Sequence, residues 1–196
     1  GGVWRAAQTG QSLELFDPSA GTAFATIARG GAADIDAAIA AARAAFETHW
    51  ETTPAVERGR HLARMAALMT ASADELARIE SRDTGKPLKQ SRVDATVAAR
   101  YFEFYAGAAD KLQGDTIPFL PGHQAFTIRE PHGVTGHIIP WNYPLQMGAR
   151  TIAAALAAGN AIVLKPAEEA CLTVIRLAEL ALEAGIPPDV INIVTG

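Results

Sequence analysis

The residues best placed to do chemistry in this chain are Asn142, Lys165 and Glu168. Each falls just past the carboxyl end of a predicted strand, where open α/β sheets bind their ligands. Asn142 sits between Pro140 and Pro144 in the run Pro-Trp-Asn-Tyr-Pro. Prolines on both sides stiffen the corner, so the asparagine amide is a rigidly aimed N–H donor. Such a donor stabilises developing negative charge strongly in a dry site. The competing reading is an amide that only bonds its own turn backbone. Lys165 and Glu168 lie close enough in sequence to face one bound ligand; alternatively they are a solvated pair of little energetic worth. Cys171 is the only thiol. A helix start can lower a thiol's pKa, but no basic residue stands beside it, and Glu168 and Glu169 oppose a thiolate. A small buried structural cysteine is the better reading.

The elements that must position these residues can be read from pattern. Gly133–Ile139 is short, apolar and rich in β-branched residues, as a buried parallel strand should be. Neither Pro140 nor Pro144 can continue it, so the chain turns through Trp141, Asn142 and Tyr143. Leu145–Ala158 has helix-favouring composition and stops at Gly159-Asn160. Ala161–Leu164 is a second strand ended by Lys165-Pro166, which completes a βαβ unit. Cys171–Ala184 then reads as helix and Val190–Val194 as a third parallel strand.

Upstream, Leu13–Phe16 and Thr22–Ala28 flank a turn at Asp17–Gly21 and read as a surface hairpin. A helix over Ile35–Phe46 is expected behind an Asp34 cap, with Ile35, Ile39, Ala42 and Phe46 inward. A second spans Pro54–Ala71 with a stripe of Leu62, Met65, Leu68 and Met69. A third spans Ser72–Ser81, with Ser72 and Glu75 in capping-box spacing, and ends at Gly85-Lys86-Pro87. A long helix over Val93–Leu112 should turn Val93, Val97, Tyr101, Phe104, Tyr105 and Ala108 to the core. The methionines and aromatics on these helices are core by their periodicity. Thr116–Leu120 and Ala125–Arg129 are extended runs leaving the helical layer. The fold class is α/β: a helical amino-terminal layer plus a parallel, Rossmann-like βαβ sheet, with a β excursion.

Composition narrows the function classes. The chain has 196 residues, 49% hydrophobic and 19% charged, with net charge −4, which suits one sizeable core. A mildly acidic balance gives no electrostatic reason to bind nucleic acid or anionic membrane. No apolar run reaches transmembrane length and no signal peptide is visible. One cysteine cannot form an internal disulfide, which points to a reducing compartment, the cytoplasm. The five histidines have no metal-ligand spacing, so no metal is expected. There is no G-x-G-x-x-G, and Gly133-Val134-Thr135-Gly136 is not a phosphate loop. The chain begins at Gly1 and ends on Thr195-Gly196 straight after an apolar strand, so both ends look cut.

Four motifs in order carry a family resemblance: RDTGKP at Arg82–Pro87, GHIIPWNYPLQM, LKPAEE, and the closing ALEAGIPPDVINIVTG. Together they resemble the NAD(P)-dependent aldehyde dehydrogenases over essentially the whole chain, as their amino-terminal portion. The resemblance implies NAD-dependent oxidation of an aldehyde to an acid by the complete protein, through a thiohemiacetal, hydride transfer and thioester hydrolysis. It gives Asn142 the oxyanion-stabilising role. It gives Lys165 and Glu168 the adenosine ribose, with NAD favoured over NADP because a carboxylate repels a 2′-phosphate. Ile138, Ile139, Pro140 and Trp141 match the stretch that walls the cofactor; Tyr143 and Met147 match the aldehyde tunnel. The alternative for these last two groups is ordinary core. Residues 1–113 become the hairpin and helices of the cofactor-binding domain, 114–131 part of an oligomerisation domain, and 132–196 the first βαβαβ of the dinucleotide-binding domain. A homo-oligomer, dimer or tetramer, follows for the complete protein.

Two departures from the family matter. Thr151 stands where many members have lysine, which puts any proton relay through that position in doubt. The family's nucleophilic cysteine and general-base glutamate lie in later segments, so these 196 residues alone should be inactive. The alternatives are a non-catalytic dinucleotide-binding or subunit-interaction module, and a structural domain with no ligand.

Overall fold

The structure, a computed structural model, describes residues 2–196. It opens with an antiparallel hairpin, β1 (Ser12–Asp17) and β2 (Thr22–Ala28). The Asp17 carboxylate accepts from the Ser19 and Ala20 amides, the local bonding that makes aspartate a turn former. The hairpin is not merely superficial. Leu15 and Ile27 are buried and close a small second core with Cys171.

Four helices follow: α1 (Ala32–Ala45), α2 (Ala55–Ala71), α3 (Ala73–Thr84) and α4 (Leu88–Ala108). Two start signals act differently from expectation. Gly31, not Asp34, is the cap of α1; the Asp34 carboxylate reaches back to the Gly31 amide at 2.9 Å and to the Gln8 amide at 3.0 Å. Ser72 makes no side-chain capping bond, because α2 and α3 are almost continuous and its own amide still bonds Leu68 O at 2.9 Å. Glu75 pairs instead with Arg176 at 2.9 Å. Beyond α1 the chain makes a π-helical turn, Phe46–Trp50, that buries Phe46 and Trp50.

The stripe of α2 is as expected: Leu62, Met65 and Met69 are fully buried. That of α4 is only partly as expected: Tyr101 and Tyr105 pack against the core. Its inward face is Ala95, Ala98, Ala99 and Phe102, whereas Val93 and Phe104 are 50% and 59% exposed. The reason is the closeness of the helices. A Cβ added at Gly59 of α2 would stand 2.7 Å from Ala106 O of α4. Such a seam takes glycine and alanine and excludes larger side chains, so the apolar period was legible but its phase only in part.

The excursion pairs as β3 (Thr116–Ile117) and β4 (Ala125–Phe126), two residues each, shorter than the expected runs. Ile117, Phe119, Leu120, Phe126 and Ile128 are all exposed along it. The chain then enters β5 (Val134–Ile138), α5 (Pro144–Ala157), β6 (Ala161–Lys165), α6 (Leu172–Glu183) and β7 (Ile191–Ile193). The three strands are parallel in the order β5-β6-β7. Ala161–Leu164 are buried throughout, as a central strand covered on both faces requires. Helix α1 packs on the sheet, and so do α5 and α6, while α4 packs on α2 and α5.

The predicted stop at Gly159-Asn160 does a second job. Asn160 is buried, accepts from the Gly133 amide at 3.2 Å, donates to Ala155 O at 3.3 Å, and offers its own carbonyl to the Trp50 indole at 3.2 Å. One side chain thus joins the end of α5 to the start of β5. Among the described residues no helix is long and apolar enough to cross a membrane.

Candidate active site

The corner after β5 carries Asn142. Ile139 closes the strand end by donating to Lys165 O at 3.1 Å, and Pro144 occupies the first turn of α5 behind a Tyr143 cap. Proline costs nothing there, because a first-turn amide has no helical acceptor. Asn142 is exposed, and among the described residues its side-chain amide has no hydrogen-bond partner. It therefore does not bond its own turn, and its N–H groups remain available to a ligand.

What holds this corner is Lys86, three residues into the Thr-Gly-Lys-Pro run. Gly85 caps α3 in the left-handed region at φ 74°, and the chain doubles back so that Lys86 points between α3 and α4. Its ammonium donates to Asp94 Oδ2 at 2.7 Å, Glu80 Oε1 at 3.0 Å and the Asn142 backbone carbonyl at 2.9 Å. An ammonium has three N–H donors, and all three are used. The same Nζ lies 4.3 Å from the centre of the Tyr143 ring, a cation–π contact. The Glu80 and Asp94 side chains are 0% exposed and that of Lys86 is 13%. Gln90 and Gln146 donate to Asp94 Oδ1 at 3.0 and 2.8 Å, and Thr173 of α6 donates to Glu80 Oε2 at 2.9 Å. Burial pushes the Glu80 carboxyl up from its usual range, against the pull of Lys86 and Thr173.

None of Lys86, Glu80, Asp94 or Gln146 was singled out in the sequence as a site residue. A signal existed. Glu80 and Asp83 fall on the stripe of Leu76 and Ala77, and Asp94 on that of Ala95 and Ala98. Carboxylates in an apolar stripe demand a buried cation or donors.

The corner after β6 carries Lys165 and Glu168. Ile138 and Lys165 are register partners on neighbouring strands, so they stand side by side at the carboxyl edge of the sheet. Ile138 is 85% exposed, an isoleucine with no cover in this chain. Ile139 faces the other way, into the core against Gly148 of α5, so only its backbone can meet a ligand. Pro140 and Trp141 are exposed. Lys165 donates to Pro166 O at 3.2 Å, while Glu168 is exposed on the next turn. Tyr143 is partly exposed and Met147 half-buried. The Thr151 hydroxyl donates to Met147 O at 3.0 Å and Gly148 O at 3.3 Å, so it is occupied by its own helix.

Cys171 is completely buried, and burial, with Asp83 beside it, pushes its thiol up to about 12. The thiol is therefore held protonated, which disfavours a nucleophilic role. The carboxylate that acts on the thiol is Asp83, whereas Glu168 and Glu169, which the sequence suggested, are exposed. Asp83 Oδ2 accepts from the Leu172 amide at 2.8 Å at the start of α6, and Oδ1 is buried without a partner. Burial raises the Asp83 carboxyl to about 6; the Leu172 amide opposes this and Glu80 adds to it. Among the described residues no group of His, Cys, Asp and Glu could hold a metal ion.

Residues 4–196 match the model of the aldehyde dehydrogenase family, and the chain belongs to that family. It is 47% identical over 196 residues to hydroxyisobutyraldehyde dehydrogenase of Mycolicibacterium austroafricanum, covering all of this chain and 38% of that protein. A crystal structure from Burkholderia cenocepacia, assigned as an aldehyde dehydrogenase, superposes with a TM-score of 0.98 at 60% identity, over 99% of this chain and 41% of its own. Betaine aldehyde dehydrogenase from Staphylococcus aureus, a point mutant in complex with NAD+, superposes at 0.95 and 36% identity, over 99% and 39%. The chain thus spans well under half the length of the relatives it matches.

Proposed function

We propose that this segment belongs to a protein that oxidises an aldehyde to a carboxylic acid with NAD as hydride acceptor. The observation that carries this reading is the Asn142 amide, unpartnered and held by both ends of its corner. In that role its N–H stabilises the oxyanion formed when a thiolate attacks the aldehyde carbonyl. Tyr143 and Met147 border the path to Asn142 and give it an apolar wall.

The residues present fit a dinucleotide. Exposed Ile138 offers an apolar surface, Lys165 beside it a donor, and Glu168 a carboxylate for ribose hydroxyls, with Pro140, Trp141 and the Ile139 backbone completing the wall. A carboxylate at Glu168 repels a 2′-phosphate, which favours NAD over NADP. When bound, the nicotinamide supplies the hydride acceptor; this chain's part is to bind and orient it.

On this reading Cys171, buried and with its thiol pushed up to about 12, does not serve as nucleophile, and the family resemblance puts the nucleophilic cysteine and general-base glutamate in segments beyond these 196 residues. The chain alone is therefore expected to bind dinucleotide without oxidising aldehyde. On that footing it also fits the second reading, a non-catalytic nucleotide-binding or subunit-interaction module. The exposed apolar residues of 114–131 are those of a segment that packs on a neighbouring subunit in a cytoplasmic homo-oligomer, with 1–113 and 132–196 forming the cofactor-binding part.

The test begins with the intact mass of the polypeptide as its source makes it, followed by NADH production from a panel of aldehydes. Asn142→Ala is expected to lower kcat by roughly 10²–10³-fold. An unchanged kcat in that variant would refute the oxyanion role. A native mass of 20.6 kDa would favour the binding-module reading.

A further inference from the structure

We infer that Lys86 is a positioning residue for Asn142: its buried ammonium fixes the Asn142 carbonyl and so aims the asparagine amide at the reacting oxygen. This rests on the aldehyde-oxidation reading above.

The argument begins with cost. A charged ammonium and two carboxylates with no exposed surface are expensive to bury, and replacing such a group by apolar residues often leaves stability unchanged or raised. Stability alone therefore gives little reason for this cluster. Its outputs are more telling. Two of the three ammonium bonds hold Lys86 on α3 and α4, through Glu80 and Asp94. The third leaves the helical layer and ends on the backbone of Asn142. The Tyr143 ring, next in the chain, packs on the same nitrogen. Gln146, from the first turn of α5, returns to Asp94. The corner is thus gripped at Asn142, Tyr143 and Gln146 by one cluster. The side-chain amide of Asn142, the group that would do the chemistry, is left out of the grip.

Fixing the backbone of a residue fixes the point and direction from which its side chain projects, and leaves only the staggered χ wells to be selected by the group that accepts from the amide. Rigid placement matters here because an oxyanion donor works only within hydrogen-bond distance of one point, and a misplacement of about 1 Å can cost roughly 100-fold in rate. Glu80 also accepts from Thr173 on α6, so the anchor is itself braced against the helix that follows the Lys165–Glu168 corner.

The test uses three variants. Lys86→Met alone leaves two buried carboxylates and can fail to fold, so it is paired with Glu80→Gln/Lys86→Met/Asp94→Asn, which removes all three charges together. A glutamine in place of Glu80 still accepts from Thr173. Lys86→Arg keeps the charge but moves the donor. In the polypeptide as its source makes it, the triple variant is expected to fold, to keep its KM for NAD within about threefold, and to lose about 10–100-fold in kcat. Lys86→Arg should recover part of that loss. In the 196-residue chain, the side-chain amide resonances of 15N-labelled Asn142 should shift and broaden in the triple variant and shift in Lys86→Arg. A folded triple variant with wild-type kcat and unmoved Asn142 resonances would overturn the proposal. Equal losses in kcat and in NAD affinity would also overturn it, since they indicate general damage. If the native polypeptide oxidises no aldehyde, the function reading fails separately, and the resonances still decide whether Lys86 orders the corner.

Discussion

Helices α3 and α4 are bridged twice by ions, in opposite ways. Near the start of α3, Asp74 binds Arg92 of α4 at 2.8 Å and its own neighbour Arg78 at 2.8 Å, with all three side chains more than half exposed. Near its end, Glu80 and Asp94 share Lys86 with almost no exposure. Residue types and distances are alike; only the solvent differs. In water the attraction is screened and its net worth is small. In the core the same contacts cannot be replaced by water, so losing one partner strands the others. The two bridges also end differently. The exposed one joins helix to helix, while the buried one extends to the corner that carries Asn142.

This contrast can be tested in order of expected effect. The largest change should come from Lys86→Met, which is expected to destabilise the fold by about 3–5 kcal/mol in urea denaturation, as breaking a buried pair does. A loss below about 1 kcal/mol would mean that the cluster is wetter than its exposure suggests. Next comes Asp83, whose buried carboxyl is raised from 3.8 to about 6. The folded protein holds this proton more tightly than the unfolded chain does. Its contribution to stability is therefore complete below about pH 4 and lost as pH rises through about 6. The interval corresponds to about 3 kcal/mol. Stability against pH for Asp83→Asn should accordingly lack this decline, and curves of the same slope for both proteins would refute it.

A smaller effect is expected at Gly85, whose φ of 74° turns the chain towards Lys86 and where an added Cβ would lie 2.7 Å from the Pro18 ring. Gly85→Ala should cost about 1–3 kcal/mol for the strained backbone. Thermal melts that leave Tm unchanged would show that the turn can relax. The smallest effect belongs to the exposed bridge. Arg92→Ala should leave the urea midpoint within experimental scatter at physiological salt, and a clear drop would erase the distinction between the two bridges.

Much of this was legible in sequence, for local reasons. The strands, the proline corner, the Gly159-Asn160 stop and the stripe of α2 follow from period, propensity and turn chemistry. Asn142, Lys165 and Glu168 were placed just past strand ends because proline and polar residues end an apolar strand wherever they fall. The misses share a different cause. The phase of α4 depends on how closely α2 and α5 approach. Asp34 and Glu75 bond partners set by neighbouring elements: Gly31 with Gln8, and Arg176. Ile139 was assigned to the site, yet its side chain faces the core because of the strand's pleat.

The sequence by itself determined the element order and the corner that presents Asn142, since each rests on interactions within a few residues, and the parallel sheet follows from strands joined by crossover helices. Only the tertiary structure decided that Lys86, quoted in a motif without a role, is the cation on which that corner hangs. Its partners Glu80, Asp94 and the Asn142 carbonyl come from three separate elements. A buried charge acquires its meaning from what surrounds it, and that is settled by packing.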